Sequence, residues 1–207
     1  SVGTVRTSDG SVVTGLADSV WTSGGKRYQF AVLPLGDEIW QGGSEHNTQV
    51  YRTSDHSLLK SYVTYDQGGD TQVLALDKGK VIQGSHANAF IYADATTWPG
   101  VTGYSRTDVF NWIGMFDAET HAYERDWVPS VASAYSEGTW AVDTDIEGCL
   151  WFGGDLLGGP WVKGQRQYLE SFSKFCPRDT TAPTVPTNAV ASARAEGGIT
   201  VKWASST

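Results

Sequence analysis

The chain has 207 residues and a net charge of −8, with its 23 acidic and 15 basic residues dispersed. Binding to nucleic acid needs a basic patch, so no nucleic-acid partner is expected. No apolar run approaches the ~20 residues that cross a bilayer, so no membrane insertion is expected either. Charged residues are only 18%, while Gly stands at 24 and Trp at nine; this composition favours strands, turns and aromatic packing over helices. No long segment has apolar residues at helical spacing. A charged n-region followed by an apolar h-region is also absent, so no signal peptide is expected.

In chain order, one short pattern recurs: Gly, any residue, two apolar residues, any residue, Gly. It reads GSVVTG (Gly10 to Gly15), GDEIWQG (Gly36 to Gly42, one residue longer), GKVIQG (Gly79 to Gly84) and GCLWFG (Gly148 to Gly153). The first Gly suits a tight turn, the apolar pair a short strand, and the second Gly a bend or the close approach of another backbone. Alternating strands precede three copies, over Tyr28 to Leu35, Thr71 to Lys78 and Thr139 to Glu147. Third and fourth strands follow within Thr48 to Tyr62 and Asn111 to Trp127, with Asp55 and Asp117 in the turns, where Asp bonds its own backbone. Four antiparallel strands in a repeat of ~40 residues predict β-propeller blades, in a partial or small ring. Gly42 to Gly84 is 42 residues, but Gly84 to Gly153 is 69. Most of this excess of 27 falls at roughly His86 to Asp108. Gly15 to Gly42 is only 27, so the first copy is expected to be degenerate or to lack its outer strand.

The excess is the best functional pointer, because long loops on a rigid scaffold carry binding residues. It holds His86, Asn88, Tyr92, Asp94, Trp98, Tyr104, Arg106 and Asp108. The alternative is an extra strand, AFIYADA (Ala89 to Ala95), that caps an edge or covers the blade. Trp98, Tyr104 and Trp161 break the repeat and suit stacking on a sugar ring or anchoring a protein partner. Trp21, Trp40, Trp112, Trp140 and Trp151 lie in strands and suit packing between blades. His46 and His86 follow the second Gly of two copies, where blade loops converge. No zinc-type histidine spacing, serine elbow or phosphate loop appears. Asp94, Asp108 and Asp155 are free of the repeat, and nothing in their spacing selects a catalytic pair. No cofactor is assigned. Asp143, Asp145 and Glu147 imitate the opening of a calcium loop, but the twelfth position, which needs a bidentate Glu, is Gly154. They are read as a hairpin turn. Cys149 and Cys176 form a disulfide or remain two core thiols.

Composition changes after Cys176. Pro177 to Asn188 is Pro- and Thr-rich and reads as an extended linker; two strands, Ala189 to Ala195 and Ile199 to Trp203, flank a Glu-Gly-Gly turn. WIGMFDAETHAYERDWVPS and TWAVDTDIEGCLWFGGD resemble the short-repeat (delta-sixty type) β-propellers of secreted bacterial, especially actinobacterial, proteins. The shared marks are the F-D-A-x-T turn, D-W-x-P and G-x-L-W-x-G-G-D. The tail DTTAPTVPTNAVASARAEGGITVKWASS resembles the start of a fibronectin type III domain. The resemblance implies an all-β piece of a longer secreted multidomain protein: a propeller region over 1–176, a linker over 177–188 and a truncated fibronectin-like domain over 189–207. It implies an extracellular or cell-surface, non-catalytic binding or scaffold module that recognises carbohydrate or a surface protein. The alternatives are a segment of an extracellular polysaccharide-acting enzyme, or a structural subunit self-associating through its sheet edges.

Overall fold

The computed structural model describes residues 4–13, 28–44, 46–65, 69–96, 98, 100–162, 164–176 and 187–204. They are all-β, with no helix among the described residues. The chain divides into two compact units, Ser1–Cys176 and Pro177–Thr207. In the second unit, β16 (Val190–Ala193) and β17 (Ile199–Lys202) pair as a hairpin. Its turn places Gly197 and Gly198 at positive φ. Most of the Pro/Thr-rich stretch, 177–186, lies outside the described residues, as do Trp21 and Gly15.

Three hairpins of the first unit are built alike, bond for bond. They are β3 (Gln29–Leu35) with β4 (Glu38–Gly43), β7 (Thr71–Asp77) with β8 (Lys80–Ala93), and β11 (Thr139–Thr144) with β12 (Leu150–Gly154). Each register slips at its first strand. Gln29↔Gly43 is followed by Ala31↔Gly42, Thr71↔Ser85 by Val73↔Gly84, and Thr139↔Gly154 by Ala141↔Gly153. Phe30, Gln72 and Trp140 are the extra residues of three equivalent bulges. Just beyond, the N–H of Ser44, His86 and Asp155 donates to the carbonyl of Tyr28, Asp70 and Gly138, at 2.8, 3.0 and 2.9 Å. The second Gly of the pattern makes room for the next hairpin. A Cβ on Gly42 would lie 2.5 Å from the Thr71 methyl, and one on Gly84 would lie 2.8 Å from the Thr139 methyl. Thr71 and Thr139 each open the following hairpin, so only Gly admits that approach.

The first repeat is completed by β5 (Asn47–Arg52) and β6 (Leu58–Tyr65), a four-stranded meander in the order β3-β4-β5-β6. In the second repeat β8 pairs along its length with β9 (Arg106–Asp117). The excess is therefore partly strand: His86–Ala93 extends β8 and Arg106–Asp108 opens β9, with residues 94–105 between them. Its Phe90–Ala93 segment pairs with Tyr62–Tyr65 of β6 and covers that edge. One seven-stranded sheet results. It curls into a nearly closed, barrel-like form, with β7 lying beside β3 and β4. The third repeat, β11-β12-β15 with β15 (Phe172–Phe175), also carries an excursion between its second and third strands. This excursion is β13 (Leu156–Val162) and β14 (Gln165–Tyr168), and β13 pairs with β10 (Ala132–Ser133).

The N-terminal hairpin, β1 (Thr4–Val5) with β2 (Val12–Val13), corrects the reading of GSVVTG. Its turn repeats the β5–β6 turn rather than the β3–β4 turn. Ser11 N–H bonds Asp9 Oδ1 as Ser57 N–H bonds Asp55 Oδ1. Arg6 Nη1 donates to Ser11 Oγ as Arg52 Nη1 donates to Ser57 Oγ. Gly10 and His56, both at positive φ, occupy the same place. The segment therefore corresponds to the third and fourth strands of a repeat. Asp117 caps the comparable turn after β9 through the N–H groups of Glu119 and Thr120.

Two apolar layers join the repeats. Ala31, Trp40, Val50 and Tyr62 of the first meet Leu74, Val81, Phe110, Phe116 and Tyr123 of the second. Ile82, Trp112 and Ile113 of the second meet Leu150, Phe152 and Leu156 of the third. Strand alternation sets this up: neighbouring residues leave on opposite faces, so each sheet offers one apolar face forward and one back.

Candidate functional site

The three bulges gather side chains at one end of the repeats. In the second repeat the register jumps from Gly84↔Ile113 to Asn88↔Asn111, so Ser85, His86 and Ala87 oppose Trp112 alone. Trp112 takes a φ of 64°, an unusual conformation for a bulky residue. Bulges of this kind re-aim a side chain, and here the side chain is His86. Ser85 Oγ fixes the loop by donating to Asp70 O (2.9 Å) and accepting from Ala87 N–H (3.0 Å).

His86 Nε2 lies 3.8 Å from Glu137 Oε2, and its ring is 5.1 Å from the Trp140 ring. His46 Nε2 lies 3.6 Å from Asp70 Oδ1. These separations exceed a hydrogen bond. His46 stacks on Trp98 with centroids 3.8 Å apart and planes 22° apart. Gly69 fits beneath the imidazole because it is Gly: a Cβ there would lie 2.0 Å from Nδ1. His46, Asp70, His86 and Glu137 thus form a line of alternating imidazole and carboxylate, flanked by two indoles. Burial pushes the His46 pKa down to about 4, opposed by its backbone bond with Thr64 and helped by the nearby His86. Asp70 is pushed up, first by burial and then by Glu137, with His86 acting against. At neutral pH His46 is therefore an uncharged imidazole. Trp98 Nε1 and His86 Nε2 have no hydrogen-bond partner among the described residues. The arrangement offers donors, acceptors and ring edges in a small space.

A pH dependence follows from His46. The folded protein holds it neutral, while the unfolded chain protonates it near its ordinary value of 6.5. Its contribution is complete above about pH 6.5 and is lost as pH falls towards about 4, by up to about 3 kcal/mol. Asp70 runs the other way, because a raised carboxyl favours the folded state in acid. Urea midpoints should fall between about pH 7 and about pH 4.5, and His46→Phe, which keeps a ring on Trp98, should flatten the fall. An unchanged slope in that variant would remove His46 from this role.

The expected site residues separate into groups. His86 and Trp98 come together at this strand-end cluster. Asn88, Tyr92, Asp94, Tyr104, Arg106 and Asp108 belong to the β8–β9 ribbon instead. Asn88 is exposed, and Tyr92 packs edge-on against the exposed Tyr104 at 67°. Asp94 pairs with Lys60 at 2.6 Å, and Arg106 with Asp108 at 2.5 Å. Those rings make no flat platform. Trp161 pairs through its backbone with Arg166, and its side chain lies outside the described residues. Asp155 is a loop cap: its Oδ2 accepts from Ser133 Oγ and Tyr135 N–H, both at 2.5 Å, and so shapes the loop carrying Glu137. Sequence reasoning missed Asp70 and Glu137. The available signal was their place just before the first strand of a repeat, at the same end as the post-glycine histidines.

Cys149 and Cys176 are joined in a disulfide. Asp145, Glu147 and Cys149 sit close enough to suggest a metal cluster, but the Cys149 sulfur is committed to that bond. The Asp145 carboxylate already accepts from Trp151 Nε1 (2.8 Å), Cys149 N–H (2.9 Å) and Glu147 N–H (3.0 Å), and pairs with Lys174 at 3.0 Å. These bonds hold its pKa well below the usual range, as suits a turn cap.

No known protein family matches the chain, and no curated protein matches it. Among solved structures, the computationally designed Ika4 protein is similar with a TM-score of 0.40 and 11% identity, over 88% of this chain and 94% of that one. The computationally designed Ika8 protein is similar with a TM-score of 0.39 and 11% identity, over 87% of this chain and 47% of that one.

Proposed function

We propose that the first unit is a β-propeller segment and that the protein is a secreted or cell-surface binding module, non-catalytic, recognising carbohydrate or a surface protein. The bond-for-bond equivalence of the three hairpins supports the propeller reading. So does the position of β7, which lies beside both β3 and β11 as first strands do around a common axis. The disulfide suits an oxidising compartment. The β16–β17 hairpin is then the opening of a fibronectin type III-like domain.

The observation that carries the binding reading is the strand-end cluster of His46, Asp70, His86 and Glu137 between Trp98 and Trp140. Propeller ligands are held where loops from several blades converge, and a few polar groups among aromatic rings give orientation and specificity. Each carboxylate here neighbours an imidazole rather than facing a second carboxylate across a cleft, an arrangement suited to holding a ligand. The test is retention of the labelled 207-residue chain on insoluble polysaccharides and on bacterial cell surfaces. Wild type should be retained on at least one surface, and His86→Ala with Glu137→Gln should lose about tenfold or more. Equal retention of the double variant would remove the site.

A further inference from the structure

The repeats show what a covered face looks like, and the third repeat departs from it. In the first repeat the forward face carries Ala31, Gly42 and Thr48 across one row and Leu33, Trp40 and Val50 across the next. In the second, the same rows are Val73, Gly84, Ile113 and Ala75, Ile82, Met115. Trp40, Val50, Ile82 and Ile113 are wholly buried beneath the following repeat. In the third repeat the rows read Ala141, Gly153, Phe172 and Asp143, Trp151, Lys174. A carboxylate stands where Leu33 and Ala75 stand, and an ammonium where Val50 and Met115 stand. Burying both under another sheet would cost their hydration. The face keeps its aromatic rings nonetheless: Phe172 is 56% exposed, and its ring lies near-parallel to that of Trp151, with centroids 6.0 Å and planes 28° apart. Asp145 holds Lys174 at 3.0 Å, which sets the ammonium 4.7 Å from the Trp151 centroid. The small residues Ala141 and Gly153 leave an open groove of ≈ 340 Å³ along the rings.

We propose that this groove binds a linear, uncharged oligosaccharide, a proposal that rests on the carbohydrate branch of the reading above and adds a second site to it. The exposed Phe172 ring offers an apolar face to a sugar, beside the Trp151 ring that carries the Lys174 ammonium, and the open groove continues past it for the neighbouring sugars. Asp143 accepts from sugar hydroxyls, and Lys174 donates to them. A phosphorylated or strongly anionic chain is disfavoured by Asp143, Asp145 and Glu147 along the same rim. A second copy of the chain is the competing occupant, and the two charged positions argue against it.

The test is calorimetric titration of the 207-residue chain with linear hexaoses of glucose, mannose, xylose and N-acetylglucosamine, beside the Phe172→Ala variant, with light scattering on both. Phe172 is exposed, so its loss leaves folding intact, and Tyr104→Ala on the distant ribbon serves as the control. At least one hexaose should bind wild type and Tyr104→Ala alike and lose about tenfold or more in affinity with Phe172→Ala. Equal binding by Phe172→Ala would overturn the groove while leaving carbohydrate recognition standing. Binding of none of the four would overturn both. A wild-type dimer that Phe172→Ala dissociates would give the face to a second copy and overturn the proposal.

Discussion

Trp40→Ala should destabilise the protein by about 3–5 kcal/mol, the range for deleting a large aromatic side chain from a close-packed core. The indole is wholly buried and sits between two repeats rather than within one. Its neighbours are Phe116 at 5.7 Å and His121 at 5.5 Å, both supplied by the second repeat. The surrounding polar groups lock the layer. His121 Nε2 meets Glu38 Oε2 at 2.8 Å, and Tyr62 donates its hydroxyl to the His121 carbonyl at 2.7 Å. Tyr123 N–H in turn donates to the Tyr62 hydroxyl at 3.2 Å. Those bonds hold the walls apart, so the cavity left by the indole cannot collapse and keeps its full cost. Trp40 Nε1 has no hydrogen-bond partner among the described residues, so the loss is one of packing alone. Urea unfolding should show a lower midpoint with an unchanged slope. Trp140→Ala, at a position 52% exposed, should stay within about 1 kcal/mol of wild type. A Trp40→Ala cost as small as that would mean the two repeats do not share this core.

Loss of the Cys149–Cys176 disulfide should remove about 3–4 kcal/mol. The bridge spans a sequence separation of 27, and a loop of that length carries a closure entropy of that order. It extends the cross-strand pair Leu150↔Phe175, so it fastens β12 to β15 at the end opposite the β13–β14 excursion, which leaves after Gly154 and returns at Phe172, and the bridged loop encloses that excursion. Without it, the third repeat must hold that excursion closed through sheet hydrogen bonds alone. Replacing both cysteines with Ala, or adding reductant, should lower the thermal midpoint and speed amide exchange in β12 and β15. The β5–β6 amides should change little, because the first repeat closes its own meander. A midpoint indifferent to reductant would show that the bridge does not form in solution.

The glycine-bounded hairpins were legible because alternation with period two and turn glycines are local signals. Asp55 and Asp117 were legible as turn caps for the same reason. What escaped was non-local. The residues from His86 to Asp108 have strand character, but nothing in them says that Phe90–Ala93 will pair with β6, whose edge lies in the preceding repeat. Asp70 and Glu137 lie far apart in the chain and meet the histidines only because strand ends converge. GSVVTG misled because its two valines fit either hairpin of a repeat. The better guide was the run Arg-Thr-Ser-Asp-x-Ser, shared by Arg6 to Ser11 and Arg52 to Ser57, which encodes one turn with one set of bonds. By its place in the strand GCLWFG, Trp151 suits packing between blades. Its cross-strand partner Lys174 marked it as different, but only the register of β12 with β15 makes them partners.

Everything rests on equivalent hairpins packed face to face, each second glycine against the threonine that opens the next. Proton NMR reads that contact directly. Nuclear Overhauser effects should appear between the Gly42 α-protons and the Thr71 methyl, and again between the Gly84 α-protons and the Thr139 methyl, because both pairs are in van der Waals contact. Finding both, with similar intensity, would establish the repeat as a repeat. If the two cross-peaks are absent while those within the β3–β4 and β7–β8 hairpins are present, the hairpins form but do not stack in this order. The convergence of His46, Asp70, His86 and Glu137 would then be lost with that stacking.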